Sequence, residues 1–97
     1  MSDLRRARLR FRAARHRLAA AALAGDRGEL VEAGWNLLRA LDRLREAVRE
    51  RPSRRDVRQW RRWRRWALRA LRREPPAPGL LHRARRLQLD RRNDGRT

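Results

Sequence analysis

Nine arginines of one segment, Arg54, Arg55, Arg58, Arg61, Arg62, Arg65, Arg69, Arg72 and Arg73, fall within roughly 120° of arc when each residue turns a helix by about 100°. A guanidinium keeps its charge near neutral pH and forks two hydrogen bonds to one phosphate. A row of them running about 28 Å at about 1.5 Å per residue is chemistry for neutralising a polyanion. No carboxylate falls on that arc. Ordinary solvated helices mix charge signs at i,i+4 spacing, so a one-signed face over about five turns is a functional signal.

Aromatic residues interleave with the same arginines in Trp60 to Trp66, which reads WRRWRRW. Single-strand binders combine these types, with arginine neutralising phosphate and an indole stacking on a base. Helical geometry divides the tryptophans. Residues three apart drift about 60° per step, so Trp60 and Trp63 point into the apolar arc while Trp66 falls on its border beside Gln59. Trp60 and Trp63 are expected in the core, and Trp66 joins the expected contact surface. Trp35 sits at a similar rim on another segment, where it suits base stacking or a protein interface equally well.

Seven further arginines, Arg5, Arg6, Arg8, Arg10, Arg12, Arg15 and Arg17, surround the first amphipathic segment more evenly. Several must flank its apolar seam. They form a secondary contact surface, with Arg5 and Arg12 assigned to nucleic-acid binding. Little points to catalysis. His16 and His82 are the only histidines and lack metal-ligand spacing. Asp42, Glu46 and Glu50 form an i,i+4 ladder with no histidine and adjacent arginines, the pattern of surface ion pairs. The absence of cysteine excludes disulfides, thiol chemistry and cysteine-ligated zinc. No catalytic residue, metal or cofactor is expected.

The elements that must hold these residues are helical. Leu4, Phe11 and Leu18 recur every seven residues with Ala7, Ala14 and Ala21 between them, giving one helix over 3–24. Gly25 stops it, and Asp26 with Glu29 forms a capping box opening a second helix. Leu30, Ala33, Leu37, Leu41, Leu44 and Val48 carry that helix over 27–51, up to Pro52. Ser53 with Asp56 opens a third, over 54–74, ending before Pro75. The fold class is all-α: a small antiparallel three-helix bundle over 1–74, with a Pro-rich connector at 75–79 and a short amphipathic fourth helix at 80–90. Leu80, Ala84 and Leu87 share one side of that last helix, and 91–97 is expected as a disordered tail.

The 97 residues include 29 arginines, no lysine and 11 acids, a formal charge of +18. Arginine in place of lysine is what a GC-rich genome would produce. Residues 1–24 carry +6, 25–51 are neutral, 52–74 carry +8 and 75–97 carry +4. With the neutral helix between two basic ones, Glu32, Asp42, Glu46 and Glu50 are expected to pair with flanking arginines and leave the outward ones free. The longest unbroken apolar run, Leu18 to Ala24, has seven residues, far short of a membrane span. The same run after a basic stretch imitates a secretory leader, but its apolar period continues upstream, which predicts part of a helix.

Three resemblances bear on the chain. Arg10 and His16 share the Arg-x5-His spacing of the helical HEPN ribonucleases, over two residues of one helix and without the polar residue often found beside that arginine. In size, helicity and charge the chain also resembles small helical subunits of RNA-guided CRISPR complexes, with no shared motif. Composition likens WRRWRRW to cationic antimicrobial peptides, but two capping boxes predict that helix 3 is consumed by folding, so a membrane is not the expected partner. The expected function is non-enzymatic: sequence-independent nucleic-acid binding through arginine–phosphate contacts, as an architectural subunit of a ribonucleoprotein or DNA-packaging assembly, in the cytoplasm or on the nucleoid. Other protein subunits, or further copies of the chain, are expected companions. The alternative is a helical interaction module, or an oligomer, that binds an acidic protein.

Overall fold

Local hydrogen bonding sets the helix ends. In the computed structural model, which describes residues 2–94 and the side chains of residues 2–88, four helices follow one another: α1 (Asp3–Ala24), α2 (Arg27–Ala47), α3 (Arg54–Leu71) and α4 (Pro78–Asp94). No strand occurs among the described residues. At the α1 N-terminus the Ser2 hydroxyl accepts the Arg5 N–H at 3.2 Å. Gly25 adopts the left-handed conformation at φ 67°, and the N–H groups of Gly25 and Asp26 close onto the carbonyls of Ala22 and Ala21. Asp26 then caps α2 by accepting the Glu29 N–H at 3.1 Å, and Ser53 caps α3 by accepting the Asp56 N–H at 3.1 Å. The Asp26 box closes from one side only. Its own N–H is spent on Ala21, and the Glu29 carboxylate accepts from Arg17 instead, at 2.6 Å.

Two helices stop earlier than the apolar period predicts, each ahead of a proline that the helix could not run through. A proline ring collides with the carbonyl four residues before it in a continuing helix, and it pushes the residue just before it out of the helical region. Pro52 stands four residues after Val48, whose ψ of 107° ends α2 at Ala47 and not at 51. Pro75 stands four after Leu71, which ends α3 there and not at 74. The α3 terminus turns through Arg73 at φ 59°, with Arg73 N–H donating to Ala70 and Glu74 N–H to Arg69, the Schellman pattern with a side chain where glycine is usual.

The fourth helix is longer than expected at both ends. Pro78 and Gly79, expected in the connector, form its first turn, because proline fits the first helical position and the Ala77 carbonyl accepts from Leu80 and Leu81. At the far end, residues 91–94 continue the helix where a tail was expected, no proline or glycine intervening between Leu80 and Asp94. The remainder of that expected tail, 95–97, lies outside the described residues.

Packing places α2 between α1 and α3, as the charge pattern implied, and α4 lies against α1. The arrangement is broadly the expected three-helix bundle with a C-terminal fourth helix, which packs on α1. The extents of 40 × 36 × 23 Å describe a shallow body about two helix diameters thick. Its core runs through Phe11, Leu18, Leu37, Leu41, Trp63 and Leu80, closed by alanines of α1 and α3. Gly34 lets α2 and α3 approach, since a Cβ there would stand 3.0 Å from the Ala67 carbonyl oxygen and 3.4 Å from the Ala70 Cβ. Trp60 and Trp63 are buried, at 8% and 2% exposure.

Candidate nucleic-acid interface

Burial of Trp60, Trp63, Ala67 and Ala70 fixes the rotation of α3, so the opposite arc must face solvent. Arg54, Arg55, Arg58, Arg61 and Arg65 are exposed and Arg62 is half-exposed. Among the described residues none of these six lies within 4 Å of a carboxylate. They occupy about 17 Å of helix at about 1.5 Å per residue. The ridge is thus shorter than the nine-residue stripe, because its C-terminal end is used differently. Glu74, just past the helix, pairs with Arg72 at 2.9 Å and with Arg69 at 3.8 Å, and Arg69 also donates to the Pro75 carbonyl. Arg69 and Arg72 brace the turn into α4, while Arg73 remains exposed within that turn.

Trp66 has a structural occupation. Its ring meets Trp63 edge-on, 4.8 Å between centroids at 83°, and a Cβ on Gly79 would stand 3.3 Å from Cζ2 of its indole. The side chain seats the first turn of α4, and only part of it reaches solvent. Trp35 is the exposed tryptophan, at 52%, on α2.

Arg5 and Arg12 do not extend the α3 ridge. They line a groove of about 890 Å³ that opens where the first halves of α1 and α3 diverge, floored by Leu4, Phe11, Leu44 and Trp60. Four more arginines line it as well: Arg8 and Arg15, placed in the secondary surface but not assigned to binding, and Arg49 and Arg51 after α2. The spacing 5, 8, 12, 15 beside the Leu4–Phe11–Leu18 seam was the available signal. On α3 the groove is bordered by Gln59, which lies about 40° around the helix from Arg55 and about 60° from Arg62. Groove and ridge therefore share one edge of α3.

The carboxylates expected to neutralise arginines are mostly uninvolved. The neutral helix contributes one ion pair, Arg17 with Glu29, and Glu32, Asp42, Glu46 and Glu50 make none within 4 Å among the described residues. Arg17 is pushed further toward its protonated form by the Glu29 hydrogen bond and charge, with Glu32 adding a smaller field. Arg10 and His16 do not share a face: Arg10 lies on the α2 side beside Asn36, Arg39 and Arg43, and six residues of helix set His16 about 120° around from it. No three His, Asp or Glu side chains converge to hold a metal among the described residues, and no described helix is long and apolar enough to cross a membrane.

Compared with known protein families, with curated proteins and with solved structures, the chain matches none.

Proposed function

We propose that the protein binds nucleic acid through its phosphate backbone, without enzymatic activity and largely without regard to sequence. The observation that carries this reading is the α3 ridge: Arg54, Arg55, Arg58, Arg61, Arg62 and Arg65 on one side of a helix whose other side is locked into the core, with no carboxylate partner among the described residues. Phosphates would take the place of counterions along the ridge, and release of those counterions supplies the driving force. Few groups suit base readout, since Trp66 is committed to seating α4 and the side-chain amides Asn36, Gln59 and Gln88 are scattered over three helices. An architectural role in a ribonucleoprotein or packaged DNA follows from a small body presenting one-signed charge.

The test is a salt titration of binding to a fluorescent oligonucleotide. Six engaged phosphates give a slope of log K against log salt of about −5, so affinity should fall roughly a thousandfold between 50 and 200 mM salt. The triple variant R58Q/R61Q/R65Q should flatten the slope by about three. A wild-type slope near zero refutes the reading. The exposed Trp35, set on α2 with the half-buried Val31 and Leu38, favours a second reading as a protein-interaction module. Its mark is a complex or oligomer that survives nuclease and high salt.

A further inference from the structure

Arg15 is the one described side chain in which a buried polar atom has no hydrogen-bond partner. Its Nε is shielded from solvent and bonds to nothing. The guanidinium lies over the Phe11 ring, 5.0 Å from its centroid, and 5.9 Å from that of Trp63, so aromatic faces from α1 and α3 hold it in place. Burial most of all, then the fields of Arg12 on α1 and Arg83 on α4, push the Arg15 guanidinium away from its charged form. The groove does hold carboxylates, Asp3, Glu50 and Asp56, but none lies within 4 Å of Arg15 among the described residues. Asp3 is twelve residues away on the same helix, about 18 Å at about 1.5 Å per residue. Buried polar groups in native proteins are nearly always satisfied, and a desolvated cation without a counter-charge is costly to keep. A guanidinium fixed by aromatic stacking, with that of Arg12 lining the same groove, forms a ready receptor for a compact anion.

We infer that Arg12 and Arg15, which line the groove together, form a discrete site for one phosphate group. The inference deepens the nucleic-acid reading by assigning a single seated phosphate in addition to diffuse neutralisation along the ridge. Phe11 and Trp63 hold the guanidinium in place from two sides. A phosphate at the end of a strand and one within its backbone present the same oxyanion, which receives N–H groups from the two arginines.

The experiment is thermal unfolding of the full chain in sodium phosphate against sodium chloride at equal ionic strength. Phosphate at ten times its Kd should raise Tm by roughly 6–11 °C beyond chloride, saturably. Equal effects of the two salts overturn the inference. R15M should abolish the excess, and R12Q, an exposed position that leaves folding intact, should weaken phosphate at least fivefold should R15M not fold. An excess that survives both substitutions overturns the site. R58Q/R61Q/R65Q should keep the phosphate excess while losing polyanion affinity, so failure of the ridge and failure of the groove are separately visible. A 5′-phosphorylated trinucleotide compared with its unphosphorylated form distinguishes the sources: greater protection by the first assigns a terminal phosphate and equal protection a backbone one. No protection by either, alongside none from inorganic phosphate, overturns the inference.

Discussion

Replacing Gly34 by alanine sets two effects of similar size against each other, and the structure decides between them. In a helix interior the change lowers the free energy by about 1 kcal/mol through backbone propensity. At Gly34 the added Cβ would stand 3.0 Å from the carbonyl oxygen of Ala67, which is main chain of a packed helix and cannot swing aside. Relief requires α3 to retreat by several tenths of an ångström along a contact that also includes the Ala70 Cβ and Leu71 Cδ2. Overpacking of this kind costs about 1–3 kcal/mol, so the net expectation is a loss of about 1 kcal/mol, or a Tm lower by roughly 4–8 °C. Gly28 supplies the control on the same helix, since a Cβ there meets only Asp26 Oδ1 at 3.7 Å. G28A should therefore gain up to about 1 kcal/mol. Urea unfolding of both variants, followed by circular dichroism, gives the difference directly. Equal stabilisation by the two substitutions would refute the close α2–α3 approach and with it the rotation that turns the arginine ridge outward.

Three other perturbations test separate parts of the molecule. W63A removes a side chain 2% exposed, with its edge-on partner Trp66, and should cost about 3–5 kcal/mol, much of the stability of a domain this small. A melting temperature within a few degrees of wild type would contradict the burial. R73G removes a side chain from a left-handed position and should stabilise by roughly 1 kcal/mol in chemical unfolding, whereas a loss would show that the side chain earns its place by contacts. Added sodium chloride should raise Tm, because +18 of formal charge repels itself and only Glu29 and Glu74 make ion pairs that screening would weaken among the described residues. A fall in Tm with salt would mean that internal pairing outweighs repulsion.

What was legible in the sequence was local. The Asp26 and Ser53 caps and the Gly25 stop are decided by neighbours within a few residues, and each forms as its residue types require. The outward face of α3 was legible too, because four inward residues at helical spacing leave its arginines only one direction. The early ends of α2 and α3 were legible in part: Pro52 and Pro75 bar each helix from running on, while the residue at which it stops, Ala47 or Leu71, is set by the turn that follows. Contacts between distant segments were not legible. Nothing in periodicity states that α4 takes the free side of α1, that Gly34 meets Ala67, or that Glu74 folds back on Arg69 and Arg72. Arg15 was legible only as one of seven arginines around α1, because its half-burial depends on Phe11 and Trp63 meeting it from two helices.

The Glu74 clasp at the end of α3 makes the ridge electrically lopsided. Two of its guanidiniums near the C-terminus are spoken for, the helix macrodipole places partial negative charge at that same end, and both effects leave the potential highest toward Ser53. A uniformly charged strand laid along α3 is therefore drawn off-centre, onto the half of the helix that adjoins the α1 cleft. Under the proposed function, that gradient would give the polyanion a preferred direction of approach.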